Sequence, residues 1–417
     1  GLIPAAATLR HGFRIRAAYR DILPGCFTQE QDMQSRVGLG VDPRPETIAR
    51  QEALLQDLGG PPVLIRLYHH RDEADWVFRL DALKRWAAEG MAVSVAIVQD
   101  RRAVLEPARW HAFVSRSLAA CAEYAQFVEL GHAINRVKWG VWDLNEWAGL
   151  MAPVPELSAQ YPNLRLTGPA VIDFEYPYVL GAFDRLPSGL RYHALSHHLY
   201  VDRRGAPENN QGRFSTLEKL ALGRAIARVM PNCEERFIVS EVNWPLAGTG
   251  EFSPVSSPYE SPGFRYNDPN VSEDMYADYM LRYLCIALCS GMAEQVYWWR
   301  LVARGFGLVD DTDPDDWRER PAYRMLHRFL ALLGTSTFVR RTVAVHANDA
   351  TSTAYTFRRP DGEHVALVYH LGDVDVAWRE GAHPLTFASA EDAFGRSLNL
   401  SGLTLSGRPV YFRGVNS

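Results

Sequence analysis

The residue types able to do chemistry in this chain gather in short segments, each at the end of an apolar run. Glu241 stands in Ser240-Glu241-Val242-Asn243-Trp244, and two histidines stand in Ser196-His197-His198-Leu199-Tyr200. Glu129, His132 and Asn135 share the run Phe127-Val128-Glu129-Leu130-Gly131-His132-Ala133-Ile134-Asn135. Asp173 and Glu175 lie two apart, Trp298 and Trp299 are adjacent, and Tyr68 is followed by His69 and His70. A carboxylate can attack an anomeric carbon or protonate a departing oxygen, and aromatic faces stack on sugar rings. The set points to a carbohydrate site, with Trp139, Trp244 and Trp298 as candidate stacking residues. His69, His70 and Asp72 could ligate a metal, but three polar residues on one loop are ordinarily solvated. No metal and no cofactor is expected.

Elements must hold these segments together. Apolar runs at 63–68, 92–98, 127–131, 165–172, 193–199, 237–241 and 295–299 read as strands, with one more near the N-terminus. Helical patterns separate them. Asp75 precedes an apolar face that closes at Gly90, and Ser215-Thr216-Leu217-Glu218 is a capping box. A further helix runs from Glu273 to Cys289. Eight strands alternating with helices suit an α/β fold closed as a (β/α)8 TIM barrel, whose chemistry sits at the C-terminal strand ends. Gly38-Leu39-Gly40 and Gly59-Gly60-Pro61-Pro62 do not form the glycine fingerprint of a doubly wound dinucleotide fold. The long connector from Asn243 to Ser272 reads as a lid or binding loop. After Gly334 the runs become short, β-like and punctuated by turns such as Pro360-Asp361-Gly362. The expected organisation is a barrel over 19–335 and a small antiparallel β-sandwich over 336–417. Residues 1–18, around Phe13 to Ala18, are expected to complete the sandwich.

Composition narrows the classes. The chain has 417 residues, 47% hydrophobic and 22% charged, with net charge −5. That balance is wrong for a nucleic-acid protein, which concentrates basic charge. No stretch approaches the roughly 18 consecutive apolar residues of a membrane span. The five cysteines have no metal-ligand spacing, and Cys285 and Cys289 read as small buried hydrophobes. Only Lys84, Lys138 and Lys219 are lysines among 44 basic residues, a bias that fits a GC-rich bacterial genome. No secretory signal is visible, and the chain starts at Gly1 rather than Met, which is compatible with a trimmed leader; the compartment is left open between bacterial cytoplasm and periplasm.

From the fourth strand onward the chain resembles the clan of retaining glycoside hydrolases with catalytic glutamates at the ends of strands 4 and 7. The β-xylosidase and α-L-iduronidase-like families are the most similar. Ile238-Val239-Ser240-Glu241-Val242-Asn243-Trp244 resembles the clan's nucleophile strand, which implies that Glu241 is the nucleophile. Ser196-His197-His198-Leu199-Tyr200 resembles the strand-6 segment whose His or Tyr touches it. Tyr297-Trp298-Trp299 resembles the strand-8 floor of the −1 sugar subsite, taken as Trp298, and Arg66 matches the arginine that supports the nucleophile. Asp392-Ala393-Phe394-Gly395 and Arg408-Pro409-Val410-Tyr411 resemble the small β domain of these enzymes. The resemblance implies substrate contacts at Arg66, His69, Asn135, His197, His198, Tyr200, Trp244 and Trp298.

One departure outweighs these matches. The clan's strand-4 motif is Glu-Ile-Gly-Asn-Glu-Pro-Asn, and its second Glu is the general acid/base. Here the segment is Glu129-Leu130-Gly131-His132-Ala133-Ile134-Asn135. Ala133 marks the position of the missing acid, and His132 replaces the 2-hydroxyl-binding Asn. Glu129 lies about 13 Å deeper along the strand, too far to substitute. Glu175 and His132 are the candidates for a relocated acid; Glu146 belongs to the following helix. Two readings follow: a glycosidase working from Glu241 with an absent or relocated acid, or an inactive relative that binds a glycan or a protein partner.

Overall fold

The computed structural model describes residues 2–250, 270–346, 349–379 and 386–414. Eight parallel strands close into a barrel: Val37–Val41 (β1), Val63–Tyr68 (β2), Val93–Val98 (β3), Ala125–Leu130 (β4), Leu166–Ile172 (β5), Ala194–His198 (β6), Phe237–Val242 (β7) and Gln295–Trp298 (β8). The ring closes where Gly38 of β1 pairs with Tyr297 of β8. Leu64, Ala96, Phe127, Ala194, Ile238 and Tyr297 form an apolar layer that plugs the interior. Two residues further along several strands the interior turns polar, at Arg66, Glu129 and Ser196, so the plug floors a polar chamber.

The glycines of β1 have a packing reason. A Cβ on Gly38 would collide with the Tyr297 ring, and one on Gly40 with the Trp299 ring. Two bulky aromatics cross the interior because the facing strand carries no side chains there.

Helix starts follow local chemistry. Ser215 and Glu218 form the expected reciprocal capping box of helix Thr216–Val229. Helix Glu73–Ala88 is capped by Asp72, whose carboxylate accepts from the Asp75 amide, so the cap lies three residues earlier than expected. The first residues depart further. Leu2–Ile22 is one helix that packs on helices Tyr176–Phe183 and Thr216–Val229, fixed by Arg10 and His11 on Asp184. Residues 13–18 therefore form no strand; helix formers such as Ala5-Ala6-Ala7 and the arginine-rich face outweigh the short apolar run.

The C-terminal region is an antiparallel sheet of seven strands, with Thr337–Val345, Thr351–Arg358 and His364–His370 pairing in succession. Its N-terminal contribution comes from Gln31–Asp32, which pairs with Thr337 and Phe338. Tyr355, Phe357, Leu367 and Tyr369 join the barrel's own core. On the opposite face Ala354, Ala366, Val368 and Phe412 are covered by Leu403, Leu405 and Trp378. Only a two-stranded ribbon, Val376–Ala377 with Thr404–Leu405, accompanies the main sheet among the described residues. Most of the expected lid at Asn243 to Ser272 lies outside the described residues, as does Leu385. All five cysteines are free, four of them buried, and no helix among the described residues is long and apolar enough to cross a membrane.

Candidate active site

Glu241 reaches the chamber through an irregularity in β7. Ile238 points into the plug, so strict alternation would aim Ser240 inward and Glu241 outward. Pairing with β8 instead slips between Val239 and Val242, which inserts one extra residue and turns the carboxylate inward. Its side chain is 6% exposed. Arg66 of β2 donates to one oxygen and the Tyr200 hydroxyl donates to the other. His132 Nε2 and His198 Nδ1 each lie 3.9 Å from Oε2. Burial alone would push the Glu241 carboxyl up; the charges of Arg66 and His198 and the Tyr200 hydrogen bond outweigh it, and the net shift is downward. Glu241 is therefore an oriented anion. Burial and the facing carboxylate push the Tyr200 phenol well above 10, so it stays a donor.

The loop after β4 is pinned from β3. Gln99, fully buried, accepts from the His132 amide and donates to the carbonyls of His132 and Trp139. This turns the His132 ring toward Glu241, edge-on to Trp139 at 4.4 Å between centroids. Burial, together with the Arg66 and His198 charges, holds His132 well below 6.5. A neutral imidazole has no ready proton for a leaving group. Ala133 has φ = +40° and is 1% exposed, packed with Ile172, Tyr200 and Trp139. The position of the missing acid is thus filled by an apolar cluster.

The other expected site residues divide by place. Asn135 exchanges hydrogen bonds with the Ile172 backbone and donates to Glu175. Glu175 and Asp173 are both held by Arg136 at 2.7 Å. These residues form a rim cluster whose polar atoms engage one another, and Glu175 has both oxygens committed there. His197 turns away from its neighbour His198: its Nε2 donates to the Asp173 carbonyl at 2.6 Å between Tyr176 and Phe237, and burial lowers it to about 3. His69 is bound to Asp100 at 2.6 Å under Trp110 and Phe113, while Asp72 caps a helix and His70 faces solvent. That trio does not converge.

The expected stacking residues are corrected most sharply. Trp298 is fully enclosed by Trp244, Tyr276 and Tyr283 on the outer face of β8, and its indole donates to Tyr276. Trp244 is equally buried and donates to the carbonyls of Arg204 and Gly205. Neither offers a free face. Trp299 is the inward residue: the Arg66 guanidinium lies 3.3 Å over its ring. Counting by two from Tyr297 finds it, because Tyr297 belongs to the plug. Gln99 carried no such signal, since only the folded loop shows what it binds.

A closed barrel with a polar chamber at its C-terminal end and an appended antiparallel sheet is the architecture of many glycoside hydrolases, and solved structures of that class are what this fold matches. A family 39 glycoside hydrolase from Bacteroides cellulosilyticus superposes with a TM-score of 0.63 at 14% identity, over 91% of this chain and 80% of the other. AbfB, a family 51 α-L-arabinofuranosidase from Bifidobacterium longum, gives 0.52 at 12% identity, over 93% and 97% of the two chains. No family model and no curated protein matches the sequence.

Proposed function

We propose that the protein acts on glycosidic bonds by double displacement, with Glu241 as nucleophile and no general acid at Ala133. Residues 19–335 carry this chemistry, and 336–417 form an appended β domain. The observation that carries the reading is the setting of Glu241: a buried carboxylate kept ionised by Arg66 and oriented by Tyr200. A residue retained only for packing would not need that pairing, since a buried ion pair is often matched in stability by well-packed apolar residues. Trp299, beside Arg66, is the better candidate for the −1 floor, and His132 and His198 border the sugar.

The anomeric carbon bonds to the Glu241 oxygen as the bond to the leaving oxygen breaks, and the leaving group departs with the electron pair. Water then releases the sugar from the glycosyl ester. General acid help is worth about 10²–10⁴-fold, so alkyl glycosides turn over slowly without it. Leaving groups stable as anions, such as aryloxides, phosphates or acylates, need no such proton. Substrates of that kind fit the site.

The test is hydrolysis of aryl glycosides spanning a wide range of leaving-group acidity, by wild type and Glu241→Gln, with and without azide. The expected result is activity confined to acidic leaving groups, accelerated by azide and abolished in Glu241→Gln. A 2-fluoro glycoside with a good leaving group is expected to label Glu241. Rates insensitive to the leaving group would mean a relocated acid. No turnover and no label across the sugar panel would favour a glycan-binding, inactive barrel.

A further inference from the structure

Beneath Glu241 the chamber holds polar atoms that no group among the described residues satisfies. Glu129, His132 and His198 are 1%, 3% and 1% exposed. Glu129 Oε2, His132 Nδ1 and His198 Nδ1 are all buried without a hydrogen-bond partner. The Glu129 carboxylate faces His198 Nε2 across 3.6 Å, and the two imidazole rings stand 4.7 Å apart. One ligand atom from each of the three residues lies within 4.8 Å of the others. Buried polar groups are ordinarily paired, and leaving one unpaired is destabilising. His198 Nδ1 looks toward Glu241 Oε2 at 3.9 Å, so it is the opposite ring nitrogen, Nε2, that His198 turns to Glu129, and the orphaned Glu129 Oε2 and His132 Nδ1 belong to the residues that converge with it.

We propose that Glu129, His132 and His198 form a binding site for one divalent transition-metal ion of the zinc class. The donor chemistry fits, because two imidazoles and a carboxylate are a common borderline-soft set. The separations fit as well. A tetrahedral site with bonds near 2.1 Å has edges of about 3.4 Å, so the 3.6 Å pair is almost in place. The widest pair, within 4.8 Å, closes by up to about 1.4 Å, within the reach of side-chain rotation. The elements converge by construction: Glu129 lies on β4, His198 ends β6, and Gln99 fixes the loop that presents His132. The ion would anchor that loop where the clan's acid is missing. A water molecule would satisfy some of the same atoms, but it would not retain zinc.

The site stands on its own geometry and does not depend on the glycosidase reading. Its test involves no sugar, so either proposal can fail alone. The untagged full chain is stripped with a chelator and dialysed to equilibrium against Zn²⁺ or Co²⁺. The expected result is one ion per chain, visible ligand-field absorption from bound Co²⁺, and a higher melting temperature with Zn²⁺. Glu129→Gln is expected to raise the Kd at least about 100-fold, since even outer-shell partners are worth roughly 10–100-fold. His132→Asn is expected to do the same, and it decides the matter should Glu129→Gln fail to fold. Glu146→Gln, in the Arg101 pair, leaves binding unchanged. Substoichiometric retention overturns the site. So does a thiolate-to-cobalt charge-transfer band, which would place the ion on cysteine, or an unchanged Kd in the folded variants.

Discussion

At the scale of single residues, the site is defined by what surrounds Glu241 and by what Ala133 excludes. Tyr200→Phe removes one hydrogen bond to an anion, worth about 1.5–3 kcal/mol. Hydrolysis of activated glycosides is expected to fall about 10–100-fold, read as kcat/KM, with far-UV circular dichroism unchanged. A loss of less than threefold would show that Tyr200 does not orient the carboxylate. Ala133→Glu is the complementary change. It would place a carboxyl in the cluster of Ile172, Tyr200 and Trp139, at a backbone with φ = +40°. Burial without a partner predicts a loss of about 2–4 kcal/mol in urea denaturation and no gain on alkyl glycosides. Restored alkyl-glycoside activity would mean that the pocket still accommodates an acid. Glu175→Gln tests the rim: its oxygens serve Asn135 and Arg136, so the leaving-group dependence is expected to stay as in wild type.

At the scale of elements, strand phase decides which residues meet. The barrel was legible in the sequence because eight apolar runs alternate with capped helices, and period-two counting explains Trp299 without further help. The inward turn of Glu241 was not legible, because the slip in β7 appears only in its pairing with β8. The split between His197 and His198 is simple alternation, yet choosing the inward member needs the plug as reference. The first helix is not legible in the sequence, because Phe13 to Ala18 is too short to distinguish a strand from one helical face. Gly40→Ala tests the β1–β8 contact: the added methyl would strike Trp299. Overpacking of this kind costs about 1–3 kcal/mol, and activity should fall with stability as Trp299 leaves Arg66. In the C-terminal sheet, bonds from Arg413, aided by Arg359, lower Glu363 to about 2 against a partial desolvation cost. Its folded value is depressed, so its contribution is present above about 4.5 and is lost as pH falls toward 2. The urea-midpoint difference between wild type and Glu363→Gln should be larger at pH 7 than at pH 3. An equal difference would show that the pair is screened by solvent.

At the scale of the whole molecule, barrel and sheet share one core. Phe338, Tyr355, Phe357, Leu367, Tyr369 and Tyr411 belong to the same apolar cluster as the barrel helices. Arg408 reaches Asp274 and Asp278, and Arg282 reaches the Gly407 carbonyl. Calorimetry is expected to show a single transition, and a chain ending at residue 335 is expected to lose its cooperative melt. Two resolved transitions would mean that the regions fold independently. The two-residue strand Gln31–Asp32 immediately precedes β1, and its partner Thr337–Val345 immediately follows helix Pro321–Leu333. The small sheet therefore buckles the belt. It brings together the two places where the winding of the barrel begins and ends, so the seam between first and last strands is closed from outside the ring. Once that buckle is fastened, the longest-range pairing in the barrel becomes a local event, and the entropy of joining its distant ends has already been spent.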